Sequence, residues 1–380
     1  MRLDDDLLAI QDAVRGFVRD RVAPNAARWD RESTFPRDEL QGLAALGCYG
    51  VAVPARWDGA GLGYLALAVI LEEIAAGDGA TSTIVSVNNC PVCSILMAWA
   101  SAEQKERWLK PLARGEMLGA FCLTEPHVGS QADGLKTTAR RVVDESGDHY
   151  VIDGTKQFIT SGENGDVAIV MAVTDRSAGK RGISAFVVPT TTPGYRVAGI
   201  EKKLGQHASD TAQIAFEHCR VPADHLLGEE GQGLKIALSG LEGGRIGIGA
   251  QAIGMARAAF EAALAYAKER VAFGVPIFQH QAVQFRLADM ATRIEAARQL
   301  VHHAASLKDA GVPCLKEAAM GKLMASEMAE RVCSDAIQTF GGYGYVNDFS
   351  VERIYRDVRV CQIYEGTSDV QKILIARALA

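Results

Sequence analysis

Aromatic residues make up only 7% of this 380-residue chain, and it holds only 11 prolines. So little proline, with no low-complexity tract, excludes collagen-like and proline-rich architectures. Basic charge is also short: 40 Lys and Arg face 46 Asp and Glu, a net charge of −6. No global positive field exists to hold a phosphate backbone, so nucleic acid is excluded as the main partner. No apolar run approaches the ~20 residues of a membrane-spanning helix, so no membrane partner is expected. The start, Met1-Arg2-Leu3-Asp4-Asp5-Asp6, lacks the basic end and apolar stretch of a signal peptide, and the cytoplasm is the expected location.

Cysteines are sparse. Eight are spread along the chain, which suits reduced thiols better than a disulfide framework. The one close pair, Cys90-Pro91-Val92-Cys93, has no second pair at zinc spacing and adjoins the apolar Ile95-Leu96-Met97-Ala98-Trp99, so buried thiols are expected. There is no HExxH, and His302-His303 lies on a predicted helix whose neighbouring positions point apart, so no metal site is expected. What remains is ordinary: 48% apolar and 23% charged residues describe a globular protein, long enough for two or three domains.

Three zones follow from periodicity. Residues 1–118 read as helices, including Asp6–Val22, Leu65–Ala76 and Glu103–Ala113. Residues 119–225 become short β-rich runs, among them Tyr150–Ile152, Val167–Val173, Ile183–Val188 and Gln213–Phe216, with turns at Asp153-Gly154 and Pro193-Gly194. Residues 226–380 return to a long helical period over Ile253–Val271, Ala282–Ala310 and Leu315–Phe340. Helices, an antiparallel β block and longer helices make an α+β order, not βαβ alternation. Gly247-Ile248-Gly249-Ala250-Gln251-Ala252 matches a dinucleotide fingerprint, yet that motif needs a preceding strand, and helix surrounds it here. Its glycines are expected to bring helices close together.

Four stretches could carry chemistry. Leu123-Thr124-Glu125-Pro126, running into Gly129-Ser130, offers hydroxyls and backbone N–H groups to a heterocycle or phosphate, or is a plain connection. In Gln157–Gly162, Phe158 and Thr160 share a strand face, suited to stacking on a planar cofactor or to core packing. The glycine-aromatic run Gln338–Tyr345 would let backbone approach a diphosphate. In Tyr364–Asp369, Thr367 or Ser368 caps a last helix, and Glu365 is either a solvated charge or a buried general base of raised pKa.

Taken in order, these pieces resemble the acyl-CoA dehydrogenase family over nearly the whole chain. Leu123–Ser130 and Gln157–Thr160 are similar to its flavin-side signatures, Arg270–Ile277 with Gln281 to its cofactor clamp, and Gln338–Gly342 and Ile363–Thr367 to its C-terminal signatures. The resemblance implies a helical domain, a β domain and a four-helix-bundle domain, FAD as cofactor and a homotetramer active in fatty acid metabolism. Leu123, Thr124, Phe158 and Thr160 would line the isoalloxazine, and Ser130 would meet the diphosphate or the pantetheine. Arg270, Phe273, Gln281, Gln338, Gly341 and Gly342 would hold a neighbouring subunit's FAD, and Thr367 and Asp369 that of the same chain. Glu242 and Arg245 would meet the CoA end or acyl chain, with Tyr364 and Gly366 flanking the thioester. Glu365 would take the pro-R α-proton while the β-hydrogen leaves as hydride to flavin N5, giving a trans-2-enoyl-CoA. The Glu365 N–H and the FAD 2′-hydroxyl would form an oxyanion hole worth roughly 3–4 kcal/mol per donor. Electrons would pass to an electron-transfer flavoprotein. An acyl-thioester oxidase, or a desaturase of carrier-bound, aromatic or branched acyl groups, is the alternative.

Two departures sharpen the expectation. Relatives of the isovaleryl-CoA type carry the base directly before the arginine of Leu241–Arg245, a position held here by Gly244, which favours Glu365. Relatives acting on glutaryl-CoA use an arginine in the segment 78–98, where this chain has no Lys or Arg, so a distal carboxylate would be stranded at a desolvation cost.

Overall fold

The computed structural model describes residues 3–145 and 147–380. The N-terminal layer contains α1 (Asp5–Phe17), α2 (Ala23–Glu32), α3 (Arg37–Ala45), α4 (Tyr64–Gly77), α5 (Gly79–Val87), α6 (Ser94–Trp99), α7 (Ala102–Gln104) and α8 (Lys110–Ala113). Helix α4 has apolar residues all round because it is covered all round, with Ala66–Ala75 buried among α1, α5 and the bundle helices. The helical stretch Gly79–Trp99 corrects one expectation. It is 21 residues long and apolar enough to cross a membrane by composition, but 83% of its apolar window is buried inside this fold. Its polar residues Asn88 and Asn89 had interrupted the apolar run in the sequence, and both are buried, bonded to backbone atoms of Gly119, Leu112, Val51 and Cys48.

The sheet comprises β1 (Gly119–Cys122), β2 (Thr138–Asp144), β3 (Gly147–Thr160), β4 (Val167–Val173), β5 (Ile183–Pro189), β6 (Tyr195–Ile200), β7 (Thr211–Pro222) and β8 (Leu226–Leu227). Its order is β6-β7-β3-β2-β4-β5-β8, with β1 beside β4. The pairing is mostly antiparallel, but β1 runs parallel to β4, from Gly119↔Val167 to Cys122↔Val170. A long excursion through β2 and β3 separates those two strands, so no hairpin fixes them antiparallel. Strand β8 pairs with β5, so the sheet reaches Leu227, two residues past the expected edge at 225. One sheet face packs around Tyr150, Phe186 and Phe216; the other meets α6, the 105–113 helical turns and the start of the long helix that follows.

That helix, α9 (Gly233–Glu269), runs 37 residues and is followed by the hairpin β9 (Val271–Ala272) and β10 (Val275–Pro276), α10 (Gln281–Asp309), α11 (Leu315–Phe340), α12 (Val351–Val358) and α13 (Ser368–Leu379). The expected helix 253–271 therefore ends two residues early, because Phe273 and Gly274 adopt φ values of 54° and 80° and turn the chain into the hairpin. The glycines of 247–254 do bring helices together. A Cβ at Gly247 would lie 2.8 Å from Ser86 Oγ, at Gly249 2.7 Å from Val301 Cγ2, and at Gly254 against the Glu72 carbonyl.

Candidate active site

Thr367 caps α13, its hydroxyl accepting from Val370 N at 3.3 Å. Immediately before it, Glu365 and Gly366 both take left-handed backbone, with φ of 55° and 88°. Such a conformation is uncommon for glutamate and persists only when its surroundings over-determine it. Here Gln371 Nε2, buried on α13, donates to Gly366 O at 2.8 Å and Glu365 O at 3.2 Å, and Lys322 Nζ of α11 donates to Gly366 O at 2.7 Å.

The turn throws the Glu365 carboxylate onto α9. A Cβ built on Gly244 would stand 2.6 Å from Glu365 Oε2, so only glycine leaves the carboxylate room. Glu365 thus occupies the place that a side chain at 244 would fill. Its Oε2 is buried with no hydrogen-bond partner among the described residues. Burial pushes the carboxyl up to about 7, against the opposing pull of Arg245 and Lys322. Arg245 is 5% exposed, its guanidinium pKa lowered by burial despite Glu365 and Glu242, and its Nε is also without a partner. Among the described residues no acceptor takes the Glu365 N–H. An unpaired carboxylate titrating near neutrality beside a free N–H can remove a proton and steady the charge that develops.

The other expected substrate residues are placed differently from one another. The Tyr364 hydroxyl donates to Gln251 Oε1 at 2.6 Å, and Gln251 in turn bonds Gly79 O and Thr83 Oγ1, so the phenol is anchored inside the protein. Glu242 Oε1 accepts from Lys308 Nζ at 2.8 Å. Cys90 Sγ and Tyr64 meet over Gly243, each within 2.6 Å of where its Cβ would be. Cys90 also donates to Gly240 O at 3.2 Å, and burial pushes its thiol up to about 11, so the Cys90/Cys93 pair consists of buried, protonated thiols.

On the sheet, Lys156 and Glu125 form a buried ion pair at 2.8 Å, and Lys156 Nζ also reaches Leu123 O at 3.1 Å. Glu125 accepts from the N–H groups of Lys136 and Thr137, closing the loop that carries the exposed Ser130. Gln157 N donates to Thr124 O at 2.8 Å. These bonds set Leu123 and Thr124 beside the C-terminal end of β3, which carries Phe158 and Thr160. A register shift between Lys156 and Ile159 leaves Phe158 at φ 59° and 62% exposed while Ile159 is buried, so core packing does not account for Phe158.

A second cluster lies on the β9–β10 hairpin and the end of α11. Phe273 is 96% exposed, and Gln281 and Gln338 are exposed. The Arg270 guanidinium lies 5.7 Å from the Tyr343 ring centre, at a cavity of about 590 Å³ shared with Thr339, Gly341 and Gly342. Nothing lies within 4 Å of where a Cβ would sit on either glycine. Sequence reasoning missed Lys322, Gln371 and Lys156, the three buried donors that hold these loops; the spacing Thr367 to Gln371, two polar residues on one helix face, was a signal for Gln371.

Residues 4–116 match the acyl-CoA dehydrogenase N-terminal domain, 120–219 its middle domain and 231–380 its C-terminal domain. The chain belongs to the acyl-CoA dehydrogenase family. It is 45% identical over 367 residues to the mitochondrial short-chain specific acyl-CoA dehydrogenase of Rattus norvegicus, covering 97% of this chain and 88% of that one. The butyryl-CoA dehydrogenase of Megasphaera elsdenii superposes with a TM-score of 0.97 at 39% identity, over 100% of this chain and 99% of the other. A chain from a structure described as the electron transferring flavoprotein of Acidaminococcus fermentans gives 0.96 at 43% identity, over 100% and 99%.

This acyl-CoA dehydrogenase is an FAD-dependent oxidoreductase. Its residues suit that cofactor. Phe158 offers a bare aromatic face beside half-buried Leu123 and Thr124, and Arg270 with two uncovered glycines offers an anion cradle. Ser368 Oγ and Gln371 Oε1, buried at the head of α13, have no partner among the described residues.

Proposed function

We propose that the protein oxidises a short-chain acyl-CoA to its trans-2-enoyl-CoA, with Glu365 as the base that removes the α-proton. The observation that carries this reading is the Glu365 carboxylate itself: buried, unpaired at Oε2, raised to about 7 and seated in the gap that Gly244 leaves. Such a group is largely ionised just above neutrality yet basic enough to take a weakly acidic proton. The Glu365 N–H would hold the thioester oxygen as negative charge grows there. Bound FAD supplies the acceptor for the β-hydrogen as hydride. Leu123, Thr124, Phe158 and Thr160 would line its ring, with Thr367, Asp369 and Ser130 nearby. Arg270, Phe273, Gln281, Gln338, Gly341 and Gly342 would hold its phosphate end across a subunit contact. Arg245, Glu242, Tyr364 and Gly366 would border the thioester and CoA.

Short chains are favoured by the likeness to the rat short-chain enzyme and to butyryl-CoA dehydrogenase. An electron-transfer flavoprotein is the proposed acceptor, supported by the likeness to the Acidaminococcus fermentans chain. A homotetramer is supported by Phe273, Tyr345 and Phe285, 96%, 87% and 67% exposed, apolar surface that association would cover. The reading includes a reducing cytoplasmic setting, consistent with eight free buried cysteines.

The deciding experiment follows anaerobic bleaching of the purified flavoprotein with straight-chain acyl-CoAs. Butyryl-CoA should bleach it, and Glu365→Gln should slow bleaching by about 10²–10⁴-fold while the flavin stays bound. Undiminished bleaching in that variant would remove Glu365 from the reaction.

A further inference from the structure

Lys322 is the least expected side chain at this site. It lies on α11, is 0% exposed, and donates to a single neutral acceptor, the Gly366 carbonyl at 2.7 Å. Among the described residues no carboxylate lies within ion-pair distance of its ammonium. A buried cation without a contacting counter-ion is costly, and an apolar residue of the same length would pack at less cost. The charge must therefore act on something beyond packing.

Burial pulls that ammonium down to about 8, so it carries its charge at and below neutrality, and the groups facing it are few. Arg245 comes from α9, Cys361 from the turn after α12, and Glu365 from the turn before α13. Glu242, a turn earlier on α9, is already bonded to Lys308 of α10. Glu365 is then the carboxylate that can answer Lys322, through space, while the ammonium grips the next residue's carbonyl. That carbonyl belongs to the second of the two left-handed residues that aim the base.

We propose that Lys322 is the positioning residue of the base: its donation to Gly366 O holds the Glu365–Gly366 turn left-handed, and its positive charge favours the carboxylate over the acid. The proposal rests on Glu365 being the base. Gln371 donates to the same carbonyl but is neutral, so it can share the first task and not the second. The two donors thereby make distinct predictions. Loss of Gln371 loosens the turn alone, whereas loss of Lys322 also makes Glu365 harder to ionise.

The test uses the flavin-loaded enzyme with butyryl-CoA, the variants Lys322→Met, Lys322→Arg and Gln371→Leu, and flavin-reduction rates from pH 6 to 9.5. Bound flavin and melting temperature are measured alongside. Wild type should rise with pH through a midpoint near 7. Lys322→Met should retain flavin, slow roughly 30-fold at pH 7, and move its midpoint up by about one pH unit or more, with KM changed less than about threefold. Lys322→Arg should restore the midpoint to near wild type even if its rate stays low. Gln371→Leu should slow the reaction with the midpoint unmoved. A wild-type midpoint in Lys322→Met, at any rate, overturns the proposal, as does a Lys322→Arg midpoint as high as that of the Met variant. Where Lys322→Met fails to accumulate as a flavoprotein, Lys322→Gln replaces it under the same criteria. Equal bleaching by wild type and Glu365→Gln would instead overturn the assignment of the base, a result separable from any Lys322 measurement.

Discussion

Replacing Glu365 with glutamine should destroy activity and stabilise the fold, and the second effect should depend on pH. In the unfolded chain the carboxyl loses its proton near an ordinary 4.5, whereas in the folded protein burial holds it to about 7. Between those values the unfolded state binds fewer protons than the native one, so stability falls as pH rises and levels off above the folded value. Each pKa unit corresponds to about 1.4 kcal/mol, so the ionised side chain costs roughly 3 kcal/mol above pH 8 and about 0.8 kcal/mol at pH 5. Glutamine has no charge to bury. Unfolding entropy near 2.1 cal/mol/K per residue gives roughly 0.8 kcal/mol/K for the chain, so the gain corresponds to about 4 °C at pH 8.5. Melting curves of both proteins at fixed concentration, scan rate and FAD would read this out. The variant should melt about 3–4 °C above wild type at pH 8.5 and within about 1 °C at pH 5. Equal differences at the two pH values, or a variant that melts lower at pH 8.5, would mean that Glu365 is not the strained, desolvated acid described above.

Two further substitutions follow from close contacts. Gly244→Ala places a methyl 2.6 Å from Glu365 Oε2, so the carboxylate must move; kcat should fall by about 10²-fold with flavin content unchanged, as stopped-flow reduction and absorbance would show. Lys156→Met leaves the buried Glu125 carboxylate without its 2.8 Å partner and should cost about 3–5 kcal/mol in denaturant unfolding, much of it recovered by adding Glu125→Gln.

The order of elements was legible in the sequence because it rests on local signals, whereas those signals left Glu365 open between a solvated charge and a base, and the family resemblance assigned its role. Period 3.6 gave way to β-rich runs and returned, and a helical approach to Gly247 was enough to reject the dinucleotide reading. Gly244 was legible in reverse: a residue unable to be a base pointed to Glu365, and the structure supplies the reason, since the two positions compete for one volume. Phe158 was left open between stacking and core because nothing in the letters Gln-Phe-Ile-Thr encodes a left-handed phenylalanine or a register shift, which arise from the pairing of β3 with β7. Lys322 was hidden by the periodicity rule itself. Its neighbours at helical spacing, Ala318, Ala319 and Ala325, are buried, so its face is the inner one, but a single lysine in the apolar stretch Ala318–Ala325 reads as a charge that snorkels to solvent. Only the carbonyl it meets, 44 residues further along the chain, gives the charge a reason to be there. Residues that act by holding another residue's backbone leave no motif of their own, and in this protein they surround Glu365, whose role only the motifs around it bring out.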